Sequence, residues 1–358
     1  MSEKIPVWLD VDTGIDDAQA ILAASRLPLD IRGISAVNGN VALAHTYENT
    51  RRVCALAGLN VPVYPGADRP LFRDTYTATH VHGADGLCGA PLPEPLRAPD
   101  TTPAWDALWQ EAQRFPGELQ VVATGPLTNL AIAFSKYPKL PSLLKRILIM
   151  GGGAEGGGVH GGNSTPAAEF NFFADPHAAQ AVCKCGAPLI LCGLDVTMRA
   201  YLTPEEMDVI TNCGSAAGRF FGQATAKNLQ FHLEKGVPGL CLHDICPVLY
   251  LVYPEMFSGE EAGVYVETRG KYTFGKMVTD LWSDFQFPKK NAFVVLDVDR
   301  PAFVERVQTL LTSVGQKERP SPEGRSVFAP KAPRELGSRG ARYHWTCDLL
   351  GMMMAQMR

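Results

Sequence analysis

No run of apolar residues in this 358-residue chain is long enough to cross a bilayer, so a membrane-spanning protein is not expected. An excess of positive charge is missing as well. With 33 Lys and Arg against 37 Asp and Glu, the formal net charge is -4, and no broad basic face for nucleic acid can be built. Cysteine is present in the wrong pattern for a scaffold. Nine thiols, an odd number, are scattered through apolar stretches, and Cys183-Lys184-Cys185 lacks zinc-finger spacing. Reduced thiols in a cytoplasmic protein are expected, because Met1-Ser2-Glu3-Lys4 runs into a strand-like segment with no signal peptide. There is no repeat of fixed period.

What the chain does have is alternation. Strand-like segments at 5–9, 31–37, 119–123, 146–150, 188–192, 263–267 and 292–298 are separated mostly by helical stretches. The helices are expected at 42–56, 103–113, 127–134, 176–182, 204–211 and 301–311. The stretch at 204 carries its own start signal: Thr203 as cap, Pro204 at the first position and Glu206 to complete a capping box. Such alternation predicts the α/β class, a mainly parallel open sheet with helices on both faces. One α/β domain is expected over 1–314, followed by a tether rich in Pro, Gly, Ser, Lys and Arg that carries a short docking helix, 315–358.

Four aspartates stand within eight residues in Asp10-Val11-Asp12-Thr13-Gly14-Ile15-Asp16-Asp17. The flanks, an apolar strand before and strong helix formers after, put them on a strand-to-helix turn at the carboxyl edge of the sheet, where open sheets bind ligands. Two acids could serve merely as a helix cap and a solvated loop. Four repel one another unless a cation sits among them, which predicts a hard-metal site.

Other candidates fall at later strand ends: Asn38-Gly39-Asn40, the turn Ala123-Thr124-Gly125-Pro126-Leu127-Thr128-Asn129, then Asn163, and Ala168-Glu169-Phe170-Asn171. Amides and carboxylates at one edge suit a polyhydroxylated ligand, although each Asn near a Gly is also ordinary turn chemistry. The glycine-rich run 151–162 lacks the ending of a P-loop and is expected to be a flap beside the site. His243-Asp244 precedes an apolar helical run. Taken alone, Asp244 would be a helix cap and His243 a satisfied imidazole. Together they also supply a distant carboxylate and a proton donor.

With these motifs together, the sequence resembles the nucleoside hydrolase family, the inosine-uridine preferring nucleosidases. The likeness covers about 5–311 and rests on the DxDxGxDD run at 10–17, Gly39-Asn40, His82-Gly83, the 123–129 turn, Asn163 with Ala168 to Asn171, Gly193 to Thr197, and His243-Asp244. The resemblance implies that Asp12, Asp17, the Thr124 carbonyl and Asp244 hold one calcium ion (Ca2+). It implies that Asp16, Asn40, Asn163, Glu169 and Asn171 bind ribose hydroxyls, with His82 and Met150 among the substrate contacts. Asp12 would take a proton from the attacking water, whose acidity the metal raises, and His243 would protonate the leaving base. Asp10 would hold the loop. The family also implies a homo-oligomer, a dimer or tetramer.

Where the pattern departs, expectations for the base are drawn from residue type. Phe220, Phe221, Phe231, His232 and Trp282 are the stacking candidates, against the ordinary expectation that such aromatics form core. Purine nucleosides such as inosine and guanosine are the expected substrates. Two other readings stay open. Asp10-Val11-Asp12-Thr13 also fits a haloacid-dehalogenase-like phosphatase with Asp10 as nucleophile, and a non-catalytic nucleoside-binding protein would need the ribose contacts alone.

Overall fold

The computed structural model describes residues 4–154, 162–281 and 289–315, with the backbone of 334–335. The branched apolar segment at the start forms β1 (Ile5–Val11). It is followed by β2 (Leu29–Ala36), β3 (Val63–Pro65), β4 (Gln120–Ala123), β5 (Arg146–Met150) and β6 (Leu189–Cys192). The short β7 (Tyr201–Leu202) and β8 (Leu240–Cys241) make a ribbon of their own. After them come β9 (Phe257–Val266), β10 (Met277–Asp280), β11 (Ala292–Val298) and β12 (Arg334–Glu335).

The large sheet has the order β10-β9-β11-β6-β5-β4-β1-β2-β3, with β12 beside β9. From β3 across to β11 every pair is parallel, while β9 runs antiparallel to β11 and β10. The pleat sends alternate side chains to opposite faces, each covered by its own apolar cluster. Leu9, Val11, Val122, Leu148 and Cys192 belong to one; Trp8, Val121, Ala123, Ile147, Ile149 and Leu191 belong to the other. Burial on both faces explains why these strands read as unbroken apolar runs.

Chain direction around β1 fixes where a ligand goes. The chain leaves β1 to build β2 and β3 on one side, then returns to build β4, β5 and β6 on the other. A crevice therefore opens beyond the carboxyl ends of β1 and β4, between the loop carrying Asp12 to Asp17 and the loop carrying Thr124.

Most expected elements are present, including the capping box of Pro204–Thr211, in which Thr203 and Glu206 bond each other's backbone amides. The antiparallel edge and the 19-residue helix Ala216–Glu234 were not expected. Gly218 and Gly222 interrupt that helix's pattern, yet both pack tightly: a Cβ at Gly218 would meet the Ile210 carbonyl at 2.4 Å. Most of the glycine flap, the helix expected near the carboxyl terminus and most of the tether lie outside the described residues. Among the described residues, eight cysteines are free thiols, and no helix is long and apolar enough to cross a membrane.

Asp10 ties the crevice together from beneath. Its Oδ1 accepts from Ser35 Oγ on β2 at 2.5 Å and from Asn129 Nδ2 at 2.7 Å, while Ser35 Oγ accepts from Trp8 Nε1 at 2.8 Å. Asn129 in turn donates to the Ala36 carbonyl and accepts from Ala67 N. One buried carboxylate thus joins β1, β2 and the turn after β4. Asp10→Ala removes the nearer acceptor of both Ser35 and Asn129, leaving each only a longer bond to a backbone carbonyl, and should lower the free energy of unfolding by about 2–3 kcal/mol in urea denaturation. Asp10→Asn keeps an acceptor oxygen and should cost less than half as much.

Candidate active site

Beyond the crevice lies a cavity of about 570 Å³. Its floor and sides include Asp16, Asn40, His82, Thr124, Met150, Asn163, Glu169, Asn171, His243 and Asp244, and its outer end includes Phe231. Residues drawn from eight separated stretches of sequence therefore face one space. Asp12 and Asp17 sit directly beneath it, bonded to its lining.

The turn after β1 is shaped by close approach. A Cβ at Gly14 would lie 2.4 Å from His82 Nδ1, and one at Gly39 would lie 2.0 Å from Asp12 Oδ2, so neither position admits a side chain without displacing a site residue. Asp17 is held by four donors: Thr124 Oγ1 at 2.7 Å and Asp12 N at 3.3 Å on Oδ1, and Gly14 N at 3.0 Å and Asn40 Nδ2 at 3.2 Å on Oδ2. Asp12 Oδ2 accepts from Asn40 N at 2.7 Å, while Asp12 Oδ1 and Asp16 Oδ1 are buried with no hydrogen-bond partner.

The carboxylate oxygens of Asp16, Asp17 and Asp244 lie within 4.8 Å of one another. Asp244 precedes the buried helix Ile245–Val252 but makes no capping bond with its side chain, so the capping role that residue type alone would assign is not the one it plays. Burial, followed by the charges of neighbouring aspartates, drives Asp12 and Asp244 well above the usual carboxylate range. Burial and the Asp16 charge push Asp17 to about 6, and burial raises Asp16. Orphaned carboxylate oxygens, mutual repulsion and an oxygen-only donor set all fit a hard divalent cation. The Thr124 carbonyl already accepts Asn171 Nδ2 at 2.7 Å, and its second lone pair is left for such an ion.

The polar groups of the cavity wall are held with similar economy. Glu169 caps the helix Phe170–Ala174, accepting from Asn171 N and Phe172 N, and also accepts from Gly152 N after β5; burial nonetheless raises it to about 7. Asn171 spends its amide hydrogens on the Thr124 and Met150 carbonyls, which leaves its carbonyl oxygen for the cavity. Asn163, at the exposed rim, accepts from Phe170 N and keeps its amide group available. His82 Nδ1 accepts from Ile15 N at 3.1 Å, and burial lowers the imidazole to about 4, so it is neutral and carries its proton on Nε2.

The outer end is built by the helix Ala216–Glu234 and the loop after β8. Asn228, Phe231 and His232 face the cavity from one side of that helix, with Lys235 just beyond it. Asn228, His80 and Lys235 were not foreseen, since the helix that presents Asn228 had not been expected. Its spacing of polar residues at i, i+4 was the one available signal. Phe220 and Phe221 are fully buried core residues and stack on no ligand, a correction that follows from their position two to three turns nearer the start of the same helix, where it packs into the core. Trp282 lies outside the described residues. His243 Nδ1 meets Thr197 Oγ1 at 2.8 Å, and burial lowers its imidazole to about 3.

Asp10 does not line the cavity; its carboxylate is turned to Ser35 and Asn129. That geometry removes the phosphatase reading, because a nucleophile must reach the substrate.

Comparison with known proteins agrees with this arrangement. A sequence profile described as inosine-uridine preferring nucleoside hydrolase matches residues 7–305. The pyrimidine-specific ribonucleoside hydrolase RihA of Citrobacter koseri is 40% identical over 305 residues, covering 84% of this chain and 96% of that protein. RihA of Escherichia coli K12 is 38% identical with the same coverage. Among solved structures, a plant nucleoside hydrolase superposes with a TM-score of 0.79 at 31% identity, covering 86% of this chain and 99% of its own. A purine-preferring ribonucleoside hydrolase from Gardnerella vaginalis gives 0.79 at 28% identity, with 86% and 98% coverage.

The raised carboxyls and lowered imidazoles oppose each other in the cation-free chain. The carboxyls contribute stability that is full below their ordinary value near 4 and is lost as pH rises through about 6 to 7; the imidazoles contribute stability lost as pH falls through about 4. A difference between calcium-loaded and chelated protein cancels the imidazoles. A hard divalent cation would have to expel protons from the carboxyls at low pH, so with calcium as the probe the rise in Tm should be near zero at about pH 5 and at least about 4 °C at about pH 8. Scanning calorimetry at both pH values checks the sign.

Proposed function

Because the chain belongs to the inosine-uridine preferring nucleoside hydrolase family, and so hydrolyses the N-glycosidic bond of ribonucleosides, we propose that it does so with one calcium ion and with pyrimidine nucleosides preferred. The observation that carries the reading is the buried Asp12 Oδ1, without a partner, beneath a cavity whose floor is carboxylate and whose outer end presents an amide.

Asp12, Asp17, the Thr124 carbonyl and Asp244 would hold the ion. When bound, it offers the ribose hydroxyls a positive anchor and makes water more acidic. The residues of the chain do the rest. Asp16, Asn40, Asn163, Glu169 and Asn171 pair the ribose hydroxyls, and their buried negative charge favours a sugar that becomes cationic at the anomeric carbon. Asp12 Oδ1 takes a proton from the attacking water while the new carbon–oxygen bond forms, and the glycosidic electron pair leaves with the base. Burial keeps His243 neutral, and a proton donated by Thr197 Oγ1 to Nδ1 places the imidazole proton on Nε2, toward the cavity. That N–H donates a hydrogen bond that steadies the base as negative charge builds there, and the proton taken from water by Asp12 balances the departing base once it has left.

Preference for pyrimidines rests on two supports. The relatives at 38–40% identity carry pyrimidine-specific names, whereas the purine-preferring structures stand at 27–28%. In addition, the outer end has Phe231, itself 39% exposed, and Asn228, whose buried Oδ1 has no partner. An amide both donates and accepts, which matches the edge of a uracil or cytosine ring. The purine preference expected from residue type alone is therefore not carried forward.

Asp12→Asn should lower kcat by at least about a thousandfold with the folded core retained, since it removes the base and a metal ligand together. Steady-state assays of free ribose, beside circular dichroism, decide this. For substrate choice, kcat/KM for uridine or cytidine should exceed that for inosine by at least about tenfold, the range of one well-placed polar contact. A higher value for inosine would return the purine reading.

A further inference from the structure

The wall above the calcium floor carries a different kind of donor set, one the hydrolytic reaction does not need. His232, Cys241 and His243 each offer a ligand atom, and these atoms lie within 4.8 Å of one another. They come from the end of the helix Ala216–Glu234, from β8 and from the loop after it. Cys241 is buried behind the lining, and its Sγ lies 4.0 Å from the thioether sulfur of Met198, which, like His232 and His243, lines the cavity.

We propose that His232, Cys241 and His243, with Met198 as a weak fourth donor, form a site for a borderline or soft transition-metal ion of the zinc or copper class, distinct from the oxygen site that suits calcium. Two imidazoles, a thiol and a thioether are the donors such ions prefer, and calcium disfavours every one of them. In a tetrahedral site with bonds of about 2.0–2.3 Å the ligand atoms stand roughly 3.5 Å apart, so the observed spacing closes by small rotations of two imidazole rings. Ligation through Nε2 turns over the His243 tautomer of the metal-free chain, in which Thr197 donates to Nδ1. Thr197 Oγ1 lies against His243 Nδ1 at 2.8 Å and can accept a proton from it, which leaves Nε2 as the ligand nitrogen. His232 Nδ1 faces the backbone N of Cys241 at 3.4 Å, a long contact that ligation would give up.

Binding involves no change of oxidation state: the thiol of Cys241 loses its proton to solvent and the sulfur electron pair forms the bond to the metal. Burial pushes that thiol up to about 12, so it remains a thiol until a metal arrives. Occupancy removes His243 from the leaving base, so on the functional reading above the loaded enzyme is inactive. Binding itself does not rest on that reading.

The test uses the full-length, calcium-loaded protein and cobalt(II) or zinc(II) alone. Cobalt should give the sulfur-to-metal charge-transfer absorption of a thiolate ligand, and zinc should bind one ion per chain and inhibit hydrolysis in a way excess calcium does not relieve. Cys241→Ser should keep kcat/KM within about twofold, lose the cobalt–thiolate absorption and require at least about tenfold more zinc for half-inhibition. His232→Gln should weaken zinc binding by a similar factor in calorimetry, which secures the result should the serine variant not fold. Cobalt binding without a thiolate band overturns the proposal, as does zinc inhibition unchanged in both variants or reversed by calcium. Thiolate binding without inhibition would keep the site and remove His243 from the leaving-group role.

Discussion

Buried carboxylates at the end of the central strand are the constraint around which the rest of the structure is arranged. Taking one ionised carboxylate out of water costs several kcal/mol, and like charges nearby add to the cost. Here Asp12, Asp17 and Asp244 are almost wholly buried, with Asp16 and Glu169 beside them. The chain offsets part of the cost with donors, four on Asp17 and three on Glu169, yet leaves one oxygen each on Asp12 and Asp16 unpaired. A cation resolves that imbalance, and the same cluster then has a reason to face a ribose.

The fold makes this concentration possible. Reversal of strand order at β1 opens a gap at its carboxyl end, and the parallel neighbours β2, β4 and β5 deliver their own loops to the same edge. Asp10 works one layer below, joining β1 to β2 and to the turn after β4 through Ser35 and Asn129. Two carboxylates two residues apart at the end of one strand thus differ: Asp10 holds the scaffold, and Asp12 lies beneath the cavity with one oxygen unpaired.

Much of this was legible in the sequence. Parallel strands buried on both faces read as apolar runs, so β1, β2, β4, β5, β6 and β11 stand out, and the acids and amides of the floor occur in local motifs at their ends. What sequence concealed depends on tertiary packing. The helix Ala216–Glu234 is broken in pattern by glycines whose purpose is close contact with Ile210 and Thr211, and losing that helix meant losing Asn228, although Phe231 and His232 on it were picked out as aromatic residues. Phe220 and Phe221 could not be told from stacking residues until it was known which turns of the helix pack into the core. Asp244 reads as a helix cap from its position; that its carboxylate lines the cavity and makes no capping bond is a tertiary fact.

The most direct measurement is the rate of uridine hydrolysis by chelator-stripped enzyme as calcium is titrated back, with bound calcium counted in the same samples. The account predicts no turnover in the stripped protein and full recovery as one calcium binds per chain, with no such recovery in Asp244→Ala. Full activity in samples shown by elemental analysis to hold no metal would contradict it.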